Sequence, residues 1–346
     1  MKKRTGVCGA WLLVVASSLM SARGALSQDV GAAPVREIIK VTERLYRFRE
    51  TRHYGVFLVT GNGIVVVDPI STGVATWLKQ ELSKRFTQPV RYVVYSHAHS
   101  DHASGAAVFS DTATLVGHAA MLGNMQPPAA SAPLTAREKL WDRNTDGLVQ
   151  PDEARGTLYE ADFKRWDRDG NGGLNRQEIW AVRFEGEVRA PDITFTDRAT
   201  LRLGGVTVEL MHLIPNHTDD MTLVWLPSER AIYTADFLTP NRLPRTDLDG
   251  GILPGWVEAL RQVEQVDFDI VVPAHEATGT KAQVTEQRRY LEELVAEVQK
   301  SMRSGLTKEQ TIEKVRMEDY AHLLEYEMSR AANVRGVYEI LQSMQD

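Results

Sequence analysis

The sequence predicts an α/β protein with a buried sheet, and three observations carry that expectation. Short β-branched runs alternate with helical patterns along most of the chain. Histidines and aspartates recur just past the ends of those runs, where α/β folds gather their chemistry. One acidic, repetitive stretch, residues 136–184, breaks the alternation. At 346 residues the chain suits one large domain with an insertion, and 25% charged with 43% hydrophobic residues is ordinary globular composition.

The first segment, residues 1–27, reads as an export signal. Lys2-Lys3-Arg4 is basic, the stretch from Ala10 to Met20 is apolar, and Ala25-Leu26-Ser27 offers a small-residue cleavage site. The apolar core is short and interrupted by serines, which argues against a stable membrane anchor and for a periplasmic or secreted protein. Cleavage would remove four cations and move the net charge from −6 to about −10. No basic stripe then remains to bind nucleic acid. Cys8, the one cysteine, leaves as well, so any metal must be held by nitrogen and oxygen.

A linker over 28–35 leads into strands at 38–41 and 45–48. Runs at 55–60 and 64–68 flank Gly61-Asn62-Gly63, a strong hairpin signal. A helix follows over 75–86, with Trp77, Leu78 and Leu82 on one face, then a strand at 91–95, a helix at 103–109 and a strand at 112–116. Past the insertion, strands are expected at 201–203, 206–213, 222–225, 231–234 and 267–272. Two C-terminal helices carry apolar stripes, Leu291, Leu294, Val295, Val298 and Met302, then Val334, Val337, Tyr338 and Leu341. These should pack on the sheet, with an oligomer contact as the alternative use.

The strand at 91–95 runs into Ser96-His97-Ala98-His99-Ser100-Asp101-His102, three histidines and an aspartate within six residues. Imidazole and carboxylate together make a mixed shell for zinc or a neighbouring transition metal. A merely histidine-rich surface loop is the bland alternative, but the chain has only nine histidines. Three further candidates follow apolar runs: His217 in Pro215-Asn216-His217-Thr218, Asp236, and His275. Each alone has a bland alternative, since a lone histidine after a strand is more often a hydrogen-bonded structural residue. The repetition of strand, turn and ligand-type side chain favours one shared site. His53, His118, His212 and His322 are left over, with His53 and His118 the candidates to border a pocket.

This ordered set resembles the metallo-β-lactamase superfamily of dinuclear hydrolases, and Asp68 after the 65–67 run matches that family's first motif. The resemblance implies an αββα sandwich formed by residues 28–135 and 185–346, acting on a small-molecule substrate. It implies two zinc ions, or iron or manganese, in the active site. His97, His99 and His217 would hold one; Asp101, His102 and His275 would hold the other; Asp236 would bridge them. A bridging hydroxide would attack the substrate, with Asp101 orienting it and accepting a proton. Asp68 would fix ligand geometry without ligating. An aspartate at position 236 is similar to glyoxalase II-like thioesterases and lactonases, so a small ester, lactone or thioester is expected. A β-lactam is the alternative, because lactamases of this family usually carry a cysteine or a non-ligating residue there. The family's single-iron dioxygenases would leave Asp101 and His102 without a metal, and flavodiiron proteins need a glutamate where His99 stands.

The insertion holds two twelve-residue segments with the EF-hand calcium pattern, 142–153 and 167–178. In the first, Asp142, Asn144, Asp146, Leu148 (by its carbonyl), Gln150 and Glu153 fall at the ligand positions. In the second these are Asp167, Asp169, Asn171, Gly173 (by its carbonyl), Asn175 and Glu178. Gly147 and Gly172 stand at the sharp turn, and Trp-Asp-Arg opens both segments, which marks a duplication. Two bound calcium ions are therefore expected in place of a plain solvated acidic loop. Only 13 residues separate Glu153 from Asp167, so the joining helices must be short and a rigid cap fits better than an opening sensor. The cap is expected to wall or cover the pocket. The competing class is a calcium-dependent binding protein on a non-catalytic fold of this type.

Overall fold

The computed structural model describes residues 34–245, 248 and 253–344; the expected export signal lies outside the described residues. Two sheets follow one another along the chain. The first contains β1 (Arg36–Lys40), β2 (Leu45–Glu50), β3 (His53–Thr60), β4 (Gly63–Val67), β5 (Val90–Val94), β6 (Thr114–His118) and β7 (Ile193–Phe195), side by side in that order. The second contains β8 (Arg198–Leu203), β9 (Val206–His212), β10 (Thr222–Leu226), β11 (Ala231–Ala235), β12 (Ile270–Pro273) and β13 (Gly279–Thr280), also in order. The helices are α1 (Thr72–Arg85), α2 (Ser100–Ala103), α3 (Met121–Asn124), α4 (Phe163–Trp166), α5 (Arg176–Phe184), α6 (Leu253–Glu264), α7 (Lys281–Arg303), α8 (Lys308–Lys314) and α9 (Tyr326–Ser343).

Strands β1 to β4 form an antiparallel meander, with the Asn62-Gly63 turn setting Thr60 opposite Gly63. From β4 onward the pairing becomes parallel, which demands crossovers, and α1 makes the first. Ser71 starts α1 by accepting a hydrogen bond from the Val74 amide, and Lys84 and Arg85 oppose its C-terminal dipole. Strand β4 is buried along its whole length and splits its side chains between two cores. Val65 and Val67 point between the sheets towards Val208, Leu210 and Leu223. Ile64 and Val66 pack outward against Val74, Leu78 and Leu82 of α1. The inter-sheet cluster continues into α6, α7 and α9 through Trp256, Leu291, Leu294, Val298, Val334 and Val337. Helices thus cover both outer faces of a two-sheet sandwich.

Some elements differ from the sequence reading. Strands β7 and β13 are too short to show a period, and Pro254-Gly255 disguises the start of α6. The helix expected at 103–109 divides into α2 and a 3₁₀ turn, Ala106–Phe109. Gly105 divides it with φ 86, and a Cβ there would lie 2.4 Å from the Ser71 carbonyl oxygen. That close approach seats the histidine loop against the loop after β4.

The acidic insertion has its own small core of Trp141, Val149, Tyr159, Phe163, Leu174 and Ile179. Its two loops meet in a single antiparallel bridge, Val149 with Leu174, at N–O distances of 3.0 and 2.9 Å. Their internal geometry repeats. The Glu153 carboxylate accepts from the Arg143, Asn144 and Gln150 amides, and the Glu178 carboxylate accepts from the Arg168, Asp169 and Asn175 amides. Gly147 and Gly172 adopt φ 87 and 90. Helix α5 begins directly on the second loop through a capping box of Asn175 and Glu178.

Candidate metal centre

The site lies where loops after β4, β5, β9, β11 and β12 converge. The two sheets are tied together there by backbone bonds, Thr222 N to Ser96 O and Tyr54 N to Ala274 O, both 2.8 Å. Three non-glycine residues at these strand ends are left-handed: Asp68 (φ 54), Ala235 (φ 47) and Glu276 (φ 65). Such conformations cost on the order of 1–3 kcal/mol each and persist only where the surroundings dictate them. Ala235 immediately precedes Asp236, where the β11–β12 register also shifts. Glu276 immediately follows His275.

Asp68 anchors the histidine loop. Fully buried, its carboxylate accepts from the Ser96 amide (2.8 Å), the Ser96 hydroxyl (2.5 Å) and the Tyr233 hydroxyl (2.9 Å). His102 Nδ1 is 3.5 Å from the same carboxylate. Because Ser96 gives its proton to Asp68, its oxygen must accept from His97 Nδ1 at 2.9 Å. His97 Nε2 is then a bare lone pair. It faces His99 Nδ1 at 2.9 Å, and His217 Nε2 faces that same nitrogen at 3.2 Å. One N–H cannot serve two partners well; three lone pairs around one cation would use the arrangement fully.

The second cluster follows the same logic. His275 Nδ1 donates to the Arg52 carbonyl at 3.0 Å, which leaves its Nε2 facing Asp236 Oδ1 at 3.2 Å. His102 Nε2 lies 3.2 Å from Asp236 and 3.5 Å from Asp101. Two donor groups result, His97, His99, His217 with Asp236, and Asp101, His102, Asp236 with His275. Within each group the donor atoms all lie within 4.8 Å of one another, and both groups contain Asp236. Both nitrogens of His102, His217 Nδ1 and Asp236 Oδ1 are buried without a well-formed hydrogen bond. Buried polar atoms left this way are costly, and a pair of cations would satisfy most of them.

The electrostatics point the same way. Burial, then the His102 and His217 rings, holds the His97 imidazolium far below its ordinary range. His99 is depressed by burial, by His97 and by the cation of Arg183 on α5. Burial pulls His217 down to about 3, assisted by Arg183 and His102. His102 goes the other way: burial opposes its charge, but Asp236 and Asp101 outweigh it and raise its pKa well above the usual value. The acidity of Asp236 is strengthened against burial by His102 and His275, and that of Asp101 by His102 and His53. Asp101 is crowded by protein, yet its side chain keeps 46% of its surface open at the mouth of the site.

All seven ligand candidates from the sequence therefore meet here, with Asp68 directly behind them. The calcium candidates do not join this cluster. Asp167, Asp169 and Glu178 form a separate oxygen group with donor atoms within 4.8 Å, and Asp142 and Asp146 close the first loop by accepting its own amides. His53 does border the site, 3.4 Å from Asp101, with its ring 4.8 Å from that of His275. His118 instead stacks on His212 at 3.8 Å, and His322 pairs with Glu286. The sequence reading missed Ser96 and Tyr233, although a hydroxyl within a buried apolar run must find an acceptor. It also missed Asp220, fully buried behind the His97–His99 loop and pushed by burial up to about 6.

Comparison with known proteins agrees with this geometry. The sequence model of the metallo-beta-lactamase superfamily matches residues 51–275. The linear primary-alkylsulfatase of a Pseudomonas species is 24% identical over 299 residues, covering 80% of this chain and 53% of that protein. Among solved structures, a metallo-beta-lactamase from Pontibacter korlensis superposes with TM-score 0.52 at 17% identity, over 75% of this chain and 99% of that one. The stereoselective inverting sec-alkylsulfatase from Pseudomonas sp. superposes with TM-score 0.59 at 16% identity, over 88% of this chain and 50% of that one. The chain thus spans about half the length of the alkylsulfatases it matches.

Proposed function

The chain belongs to the metallo-β-lactamase superfamily, and from that premise we propose a metal-dependent hydrolase that cleaves a small ester, lactone or thioester. The observation carrying this reading is the pair of donor groups that share Asp236, each with its ligand-type atoms within 4.8 Å of one another. His97, His99 and His217 would hold one ion, Asp101, His102 and His275 the other, with Asp236 between them. Zinc, iron and manganese all suit these donors. Bound there, the ions supply a water nucleophile at neutral pH and Lewis-acid polarisation of the substrate oxygen. Asp68 holds Ser96 and thereby the tautomer of His97. Asp101, open to the mouth and beside His53, is placed to receive a proton and pass it to solvent.

A second reading, a sulfate ester as substrate, is favoured by the names of the relatives, two of which are alkylsulfatases. Asp236 makes a β-lactam the weaker expectation. Turnover by purified, metal-loaded protein on carboxylic esters, lactones, thioesters, alkyl sulfates and β-lactams separates these classes. His97→Ala should abolish whichever activity appears. Stoichiometric metal without turnover on any of them would favour a binding protein instead.

We propose further that the insertion is an EF-hand pair holding two calcium ions. The matching left-handed glycines, the two glutamates folded back onto their loop starts and the Val149–Leu174 bridge support it. The N-terminal pattern supports export, where millimolar calcium would fill even weak sites.

A further inference from the structure

Helix α5 is the last element of the insertion and the one that reaches the candidate metal centre. The Phe184 ring lies 5.1 Å from the His99 ring at 61°, on the side of the His97–His99–His217 group. Trp180, one turn earlier, stacks on Phe184 at 6.2 Å and 18°. Its indole N–H donates to the Asn124 carbonyl at 2.7 Å, and the Asn124 amide donates to Asp219 at 2.7 Å, two residues beyond His217. The aromatic pair is therefore fastened to the loop that carries a ligand candidate. Both residues are half-buried. The chain after α5 is fixed too, since Gly105 donates to Glu187 O at 3.2 Å and a Cβ on Gly186 would meet Ser100 and Ser104 below 3 Å.

We propose that Phe184 and Trp180 are specificity-determining residues: the insertion supplies an aromatic wall on which an apolar chain of the substrate lies. This rests on the hydrolase reading and names its substrate class, an ester whose organic part is an apolar alkyl or acyl chain. An aromatic pair beside a polar reaction centre offers dispersion and desolvation to such a chain. A buried methylene is worth about 0.8 kcal/mol, so each added carbon should tighten binding about fourfold while the wall lasts.

The test uses metal-loaded full-length protein and linear alkanoates from acetate to decanoate, which resemble acyl-ester products and need no turnover to bind. Calorimetric dissociation constants of the native protein should tighten steadily with chain length. Phe184→Ala and Trp180→Ala should flatten that series at least tenfold at decanoate and leave acetate binding and transition-metal content unchanged. A native series that does not tighten with length overturns the inference. So does a Phe184→Ala variant with an intact length dependence, or with equal losses at every length. Ester turnover on the same samples is a separate readout: chain-length-dependent binding without turnover would overturn the hydrolase reading and keep the wall.

Discussion

Asp68 shows how one buried carboxylate can specify the conformation of a histidine loop. Its two oxygens take three donors, Ser96 N, Ser96 Oγ and Tyr233 Oη, and through Ser96 they leave His97 Nε2 bare. Asp68→Asn replaces one oxygen with an NH₂ that faces donors. The variant should lose about 1–3 kcal/mol of stability and a large share of its transition metal, read by urea denaturation and elemental analysis. An unchanged metal content would show that Asp68 does not set the ligand tautomer. Titration gives a second residue-scale prediction. His97, His99 and His217 have folded pKa values depressed below their unfolded value near 6.5. As pH falls below 6.5 the unfolded chain gains protons at these three sites and the native state does not. His102, raised in the native state, and Asp220, raised to about 6, bind protons more readily folded than unfolded, so they offset part of this loss as pH falls. Metal-free protein should therefore lose stability from pH 6.5 to 5, by up to about 1.4 kcal/mol per pH unit for each histidine. A urea midpoint that stays flat or rises over that range would contradict the buried neutral assignment. The candidate ligands could be marked because each lies close behind an apolar run, whereas Ser96 and Tyr233 could not, since their hydrogen-bond partners are distant in sequence.

At the scale of elements, α5 links the two candidate ion sites. Its N-terminus is built from the second acidic loop through Asn175 and Glu178, and its C-terminus stands against His99. Removing calcium with a chelator should lower the thermal midpoint by several degrees, since a ligand that binds only the native state stabilises it by an amount that grows with the logarithm of its concentration over Kd. Glu178→Gln should reproduce part of that shift and weaken the response to added calcium, measured by scanning calorimetry with and without calcium. Equal midpoints in chelator and in millimolar calcium would mean that the loops hold no ion. Asn175→Ala tests the cap itself and should cost about 1 kcal/mol. The two loop segments could be marked in the sequence because an oxygen-donor pattern at fixed spacing is a local signal. The helices around them were less so. A single four-residue helix, α4, joins the loops, and no period can be read from so few residues.

For the whole molecule, the sandwich follows from how β-branched runs distribute their side chains. Strand β4 sends alternate valines into two cores, and continuous apolar runs such as 64–67 are the signature of a strand covered on both faces. That much, and the αββα order implied by the family resemblance, was readable from the chain. The short strands β7 and β13 and helix α6 were not, because tertiary pairing rather than local propensity stabilises them. Converging strand ends from both sheets then bring together seven donors that span residues 97 to 275. The claim that these donors hold two ions is tested most directly by elemental analysis of the purified, folded protein beside its Asp236→Ala variant. About two transition-metal ions per native chain, falling to one or fewer when the shared aspartate is removed, is the predicted result. A native protein that retains no stoichiometric transition metal, even after loading with zinc, iron or manganese, would contradict it.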